Sequence, residues 1–270
     1  MAINNESIGI SAEVAIAQTF NVPINPQYVA RAEQEIVNLL LRGGCVRQIF
    51  DRQQMPYPVE HVAEGGSPVD FKLAGGQTLS VKTNQKGLGR VAPQKIGQPT
   101  AWTYFNFLEE NNVIPGFTLQ KTLAHFRLAD TYENRAWLFK WLSINYIDML
   151  INMYWQNLFD CDYLLLFFNL DYRLNPLLNH KVFGRLARNQ LFLGGQFTFT
   201  QTLDSWNESN TVKYNGVVIG NFQVHRNRDC FKFRFDMDGV MKVLGNDLRL
   251  TSYDDLKMAL KEAWKNGKNS

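Results

Sequence analysis

Hydrophobic residues recur at helical spacing in the first part of the chain and predict two amphipathic helices, over residues 12–20 and 27–41. Pro26 lies between the two helices, and the pair Gly43-Gly44 ends the second. Similar spacing predicts helix within residues 93–108 and through most of residues 117–159. The pattern is typical of the helical layer of an α/β domain.

Between residues 69 and 83 the hydrophobic period changes to two, which predicts a β-hairpin around Ala74-Gly75-Gly76. A three-residue loop sets Phe71 opposite Leu79, so that apolar side chains share one face. The same register sets Asp70 opposite Ser80, with Lys82 one diagonal step away. A two-residue loop would mix the two faces, so the pattern favours the longer loop.

Strand patterns dominate after Cys161. The predicted strands cover residues 163–170, 191–199, 212–218, 218–224 and 231–235. A final helix is predicted over residues 252–266, with Ser252 as its N-cap. We therefore expect an α/β (α+β) fold in one compact unit, with an α/β region over residues 1–160 and a β-rich region over residues 161–270.

The composition, 45% hydrophobic and 20% charged, is that of an ordinary globular protein. Three cysteines, far apart and in no CxxC pair, argue against both a disulfide framework and a zinc site. The first residues have no pattern of a signal peptide, and polar residues interrupt the most apolar stretch, residues 136–159. We expect a cytoplasmic protein. No GxSxG sequence is present, which argues against a hydrolase with a serine nucleophile.

The 28 basic and 25 acidic residues nearly balance, at a formal net charge of +3, but they are not evenly mixed. Residues 71–108 contain no Asp or Glu, and neither do residues 172–203 or 209–228. Each of these stretches carries several Lys or Arg residues. Such runs are suited to contact with phosphate groups.

The predicted hairpin combines a carboxylate and a lysine on neighbouring strands, which suits metal-assisted hydrolysis of a phosphodiester. Asp70 would bind Mg²⁺ through a hard oxygen, and the carbonyl of Val81 could add a second ligand. Lys82 would orient the attacking water and lower its pKa.

The sequences Pro68-Val69-Asp70 and Ser80-Val81-Lys82 resemble the active-site hairpin of the PD-(D/E)xK nucleases, and residues 64–100 look like that of type II restriction endonucleases. The resemblance implies a central mixed sheet flanked by helices, with catalytic residues in 1–160 and DNA recognition in 161–270. It also implies Mg²⁺-dependent cleavage of double-stranded DNA that leaves 5′-phosphate ends. The chain departs from the family pattern at Ser80, where an acid is usual.

Relatives that lack this acid supply a carboxylate from elsewhere, either from a following helix or from an N-terminal helix. The following helix here offers Gln94 and Gln98 but no acid. Glu35 is our first choice for the missing catalytic and metal-binding acid, by this analogy. Glu33 and Glu64 stay open as alternatives, because helical phase does not separate the two helix glutamates. His61 could also reach the site.

Residues of the acid-free stretches and of the alternating strand 231–235 supply the expected DNA contacts, because Arg, Lys, Asn and Gln bind phosphates and base edges. The candidates are Asn84, Gln85, Lys86, Arg90, Gln94, Lys95, Gln98, Arg188, Gln223, Arg226, Arg228, Lys232 and Arg234.

The sequence therefore predicts a type II restriction endonuclease that acts as a monomer or homodimer. A cognate DNA methyltransferase is expected in the same system but not as a stable complex. Two alternatives stay open: a repair or junction nuclease of the same fold, and a sequence-specific DNA-binding protein without catalysis.

Overall fold

The computed structural model describes residues 5–63, 67, 69–170, 176–189, 191–225, 227 and 229–244. The predicted C-terminal helix over residues 252–266 lies outside these residues. Chain contacts divide the described residues into two units. One contains residues up to 87 together with 161–187, and the other contains 88–160 and the residues from 188 onward. Each unit thus combines segments from both sides of residue 160.

The described elements follow one another as four helices, four strands, four more helices and a strand-rich segment that ends in a helix. The helices are α1 (Asn5–Phe20), α2 (Pro26–Val29), α3 (Gln34–Leu41), α4 (Cys45–Arg52), α5 (Ala101–Glu110), α6 (Leu119–His125), α7 (Tyr132–Asn145), α8 (Ile147–Leu158) and α9 (Met237–Leu244). The strands are β1 (Pro58–His61), β2 (Phe71–Leu73), β3 (Thr78–Thr83), β4 (Arg90–Val91), β5 (Tyr163–Phe167), β6 (His180–Gly184), β7 (Phe197–Phe199), β8 (Ser209–Tyr214), β9 (Val217–His225) and β10 (Cys230–Asp236). No described helix combines the length and apolar character needed to cross a membrane.

The first unit is built on a mixed sheet with strand order β1-β2-β3-β5-β6. Strands β3 and β5 run parallel, and the other neighbouring pairs are antiparallel. The predicted hairpin register is confirmed, because Phe71 pairs with Leu79 and the Leu73 amide donates to the Gln77 carbonyl at 2.7 Å. Gly75 supports the loop with a φ of 83°, which L side chains rarely adopt.

Helix α1 packs directly on this sheet. A Cβ added to Gly9 would lie 3.8 Å from the Thr83 hydroxyl oxygen, so the helix backbone approaches β3 closely. Its residues from Ile10 to Ala17 are all buried, together with the inward faces of α3 and α4. The predicted helix over 27–41 is divided into α2 and α3, and α4 was not predicted. A charged residue within α1 is therefore held inside the core.

The second unit contains α5 to α9 and an antiparallel sheet with strand order β4-β10-β9-β8-β7. Aromatic residues fill its core: Phe139 stacks on Phe231 at a centroid distance of 4.3 Å, and Tyr154 stacks on Phe233 at 4.5 Å. The predicted alternation in β10 is confirmed, since its phenylalanines are buried and its cations are half-buried. The predicted helical stretch over 136–159 is broken at Tyr146, and the stretch over 93–108 is helical only from Ala101.

Candidate active site

Asp70 lies directly before β2, between β3 and the end of β1. Its backbone N–H donates to the Leu79 carbonyl at 2.9 Å, and its carbonyl accepts from the Val62 amide at 2.9 Å. The backbone of Asp70 is therefore held by hydrogen bonds to the neighbouring segments on either side of it. This leaves only the side-chain torsions of Asp70 to be set by further contacts.

The Asp70 carboxylate is oriented through one of its two oxygens. Oδ2 accepts from the Ser80 hydroxyl at 3.1 Å and from the Val81 amide at 2.5 Å. Neither bond uses Oδ1. Ser80 is fully buried, and its hydroxyl is a hydrogen-bond donor to the acid. Ser80 thus holds Asp70 in place at the position where the family pattern has an acid.

Glu13 of α1 is a buried carboxylate that interacts electrostatically with the half-buried Asp70. Burial raises the pKa of Glu13, and the charge of Asp70 raises it further, whereas hydrogen bonds from His61 and Tyr28 act in the opposite direction. Two carboxylates that repel each other would be stabilised by a bound cation. Glu13 is therefore our candidate for the acid that Ser80 does not supply.

Glu35 is not part of this cluster. It lies on the exposed side of α3, because the helix directs Ile36, Val37, Leu39 and Leu40 into the core. Glu33 precedes α3, where its amide donates to the Ser11 hydroxyl at 2.7 Å. Glu64 lies outside the described residues. Glu13 accordingly replaces Glu35 as our candidate for the second acid.

One sequence signal could have identified Glu13. It is the only charged residue between positions 7 and 30, within a run of apolar and small residues. An acid in such a run must be buried with the helix, and buried acids are concentrated at functional sites.

Lys82 lies on β3, two residues after Ser80 and therefore on the same face of the strand. The charges of Lys82 and Asp70 both affect the pKa of the buried Cys161 thiol. Burial raises the pKa of the Cys161 thiol to about 12, the positive charge of Lys82 lowers it, and the negative charge of Asp70 raises it. Lys82 and Asp70 thus lie near the same thiol.

The oxygen donors of the cluster suit a hard divalent cation. Among the described residues, no group of three or more His, Cys, Asp and Glu side chains could hold a metal ion. Mg²⁺ does not require such a group, because it keeps several waters and takes one or two carboxylates from a protein. Glu13 and Asp70 fit this requirement, and the Val81 carbonyl stays a predicted third ligand.

The predicted DNA contacts in the first unit follow β3. The Asn84 amide donates to the Phe167 carbonyl at 2.9 Å, Gln85 is half-buried, and Lys86 is exposed. In the second unit Arg90 and Gln98 are exposed, Gln94 is half-buried, and Lys95 pairs with Asp160 at 3.0 Å. Arg188 is half-buried and lies in the 3₁₀ turn Arg185–Asn189.

Strands β9 and β10 place polar side chains on one face of the second sheet. Lys232 pairs with Gln223, and Arg234 pairs with Asn221. The Arg234 guanidinium donates to Gln223 Oε1 at 3.2 Å, and both burial and the nearby Arg90 lower its pKa. Gln223, Lys232 and Arg234 are thus brought together. Arg226 and Arg228 lie outside the described residues.

Comparison with known proteins gives one informative similarity. The chain is 29% identical over 191 residues to a protein of Paramecium bursaria Chlorella virus 1 named Type II restriction enzyme CviAII. The match covers 71% of this chain and 48% of that protein, so it spans about half the relative's length. No protein-family model and no solved structure matches the chain.

Proposed function

We propose that this protein is a type II restriction endonuclease of the PD-(D/E)xK superfamily, which hydrolyses double-stranded DNA with Mg²⁺. The observation that carries the proposal is the position of Asp70, which Ser80 and the Val81 amide hold beside the strand that contains Lys82. The buried Glu13 of α1 joins this group through His61, which contacts Glu13 at 2.9 Å and pairs with Phe71, the residue after Asp70. Two further findings support the proposal: the sheet of mixed parallel and antiparallel strands, and the similarity to a protein named as a type II restriction enzyme.

Glu13 and Asp70 would hold the Mg²⁺, with the Val81 carbonyl as a further ligand. When bound, the metal offsets the charge that develops on the phosphate and acidifies water. Lys82 holds the attacking water by its ammonium group, and Ser80 keeps the Asp70 carboxylate oriented. The water oxygen would attack phosphorus and lose a proton to solvent, while the bond to the 3′ oxygen breaks and that oxygen takes up a proton. The products are a 5′-phosphate and a 3′-hydroxyl.

Two groups of residues would contact DNA. In the first unit these are Asn84, Gln85 and Lys86, directly after the catalytic strand. In the second unit, Gln223, Lys232 and Arg234 share one sheet face and combine base-reading amides with cations. A cognate methyltransferase would protect the host DNA, and the protein would act in the cytoplasm.

The proposal is tested by incubating the full-length protein with phage or plasmid DNA in Mg²⁺ and in EDTA. We expect discrete fragments in Mg²⁺ and intact DNA in EDTA. Random degradation would instead favour a repair nuclease, and DNA binding without cleavage would favour a non-catalytic protein.

Lys82→Ala should lower the cleavage rate by about 10²–10⁴-fold and retain DNA binding. Lys72→Ala is the matched control, since Lys72 lies on the adjoining strand β2 and pairs with the exposed Glu60 at 2.8 Å. Cleavage by Lys82→Ala at the rate of Lys72→Ala would overturn the assignment.

A further inference from the structure

The geometry points to His61 as a positioning residue of the metal site: together with Tyr28 it binds one oxygen of Glu13 and leaves the other for the divalent cation. This inference rests on the proposed function and deepens it.

Both hydrogen bonds to Glu13 end on the same oxygen. The Tyr28 hydroxyl donates to Oε2 at 2.7 Å, and His61 Nε2 lies 2.9 Å from the same Oε2. Neither bond uses Oε1. Asp70 has the same arrangement, because both of its side-chain bonds end on Oδ2. Within the described part of the chain, each acid is therefore held by side-chain hydrogen bonds through one oxygen, and the other oxygen of each could bind a cation.

The His61 ring is itself held tightly. Only 2% of its side chain is exposed, and its ring centroid lies 5.0 Å from that of Tyr28 and 5.1 Å from that of Phe71. The backbone of His61 pairs with Phe71 in the sheet. A ring packed in this way fixes the position of Nε2, and so the rotamer of Glu13.

The same short segment also contacts the second acid. Val62, the next residue, donates its amide to the Asp70 carbonyl at 2.9 Å. The His61-Val62 segment therefore sets the position of Glu13 through a side chain and of Asp70 through the backbone. Displacing the segment would affect both proposed ligands.

Tyr28 completes the arrangement from α2. Its hydroxyl donates to Glu13 Oε2 at 2.7 Å, the same oxygen that His61 contacts. Groups that orient metal ligands in this way are typically worth about 10–100-fold in metal affinity. We expect His61 to act in this range through Glu13, without touching DNA.

The test uses the full-length protein and two readouts. Calorimetric titration with Mg²⁺ or Ca²⁺ measures cation affinity, and plasmid cleavage measures the Mg²⁺ concentration for half-maximal rate. His61→Ala should weaken cation binding by about 10–100-fold and raise the half-maximal Mg²⁺ concentration by a similar factor. High Mg²⁺ should restore most of the rate. His61→Gln keeps a donor near the position of Nε2 and should stay close to the unmodified protein.

His180→Gln is the matched control, because His180 is a half-buried histidine on β6 of the same unit and outside the acid cluster. Tyr28→Phe keeps the ring and removes only the hydroxyl, so it decides the question even if His61→Ala fails to fold. Unchanged cation affinity in both Tyr28→Phe and a folded His61→Ala would overturn the positioning role, and if His61→Ala does not fold, unchanged affinity in Tyr28→Phe alone would overturn it. In that case Mg²⁺-dependent cleavage by the unmodified protein would still uphold the proposed function. If the unmodified protein neither binds cations nor cleaves DNA, both proposals fail.

Discussion

The Ser80 hydroxyl donates a 3.1 Å hydrogen bond to Oδ2 of Asp70, on the adjoining side of the hairpin. The same oxygen also accepts from the Val81 amide, so Ser80 supplies one of two contacts that orient the acid. A neutral donor at this position cannot serve as a charged metal ligand, and it instead orients Asp70, the acid proposed to bind the metal.

Ser80→Ala should therefore reduce cleavage without abolishing it. Loss of one hydrogen bond to a charged carboxylate is worth about 1.5–3 kcal/mol, or roughly 13–160-fold in rate, and the Val81 amide still holds Asp70. Asp70→Asn provides the comparison, because it removes a proposed ligand and should abolish Mg²⁺-dependent cleavage. Rates at saturating DNA would measure both changes. An equally complete loss in Ser80→Ala would mean that Ser80 takes a direct part in the reaction.

Glu13→Gln should reduce cleavage by at least about 100-fold, since it removes a proposed ligand of the metal. It also removes the like-charge repulsion with Asp70, so we expect a melting temperature no lower than that of the unmodified protein. Glu35→Gln is the matched control and should leave cleavage and melting unchanged, because Glu35 is exposed on α3. Inactivation by Glu35→Gln with full activity of Glu13→Gln would reverse our choice of acid.

Lys232→Ala should weaken DNA binding in a salt-dependent way. If Lys232 contacts a phosphate, its loss lowers the slope of log K against log salt by about 0.9. Fluorescence anisotropy with labelled duplex at several salt concentrations measures this slope in EDTA, without cleavage. Lys121→Ala, on the exposed side of α6 in the same unit, is the control. A slope that changes equally in both variants would exclude a specific role for this sheet face.

The Asp130–Arg135 pair predicts a pH-dependent contribution to stability. The Arg135 guanidinium donates to Asp130 at 2.6 Å and lowers the pKa of that carboxyl. The contribution is therefore complete above the unfolded-state pKa of Asp130 and is lost as pH falls through its lower, folded-state value. Asp130→Asn should cost about 0.2–1 kcal/mol near neutral pH and less in acid. Urea unfolding of both proteins across this range checks the sign, and a cost that grows on acidification would contradict it.

The hairpin could be predicted from the sequence because its register depends on residues that are close together in the chain. The two-residue period and the three-residue loop determine that Phe71 meets Leu79, and this register brings Ser80 to Asp70. The second acid could not be predicted in this way. Which helix packs on β3 depends on tertiary contacts, and the apolar stripe near Glu35 does not report that α1 occupies this place. The division of the chain into two units could not be predicted either, because the parallel pairing of β3 with β5 joins segments that are far apart in the sequence.

That parallel pairing sets an order of events during synthesis on the ribosome. The Thr78 amide and hydroxyl both bond to Asp162, 84 residues later in the chain. Until that later segment leaves the ribosome, β3 can pair only with β2 and carries Lys82 on an open edge of the sheet. At about 5–20 residues per second, the delay lasts roughly 4–17 seconds. A nascent chain therefore holds the proposed catalytic residues well before it holds the finished sheet, so the proposed nuclease activity would arise only late in synthesis.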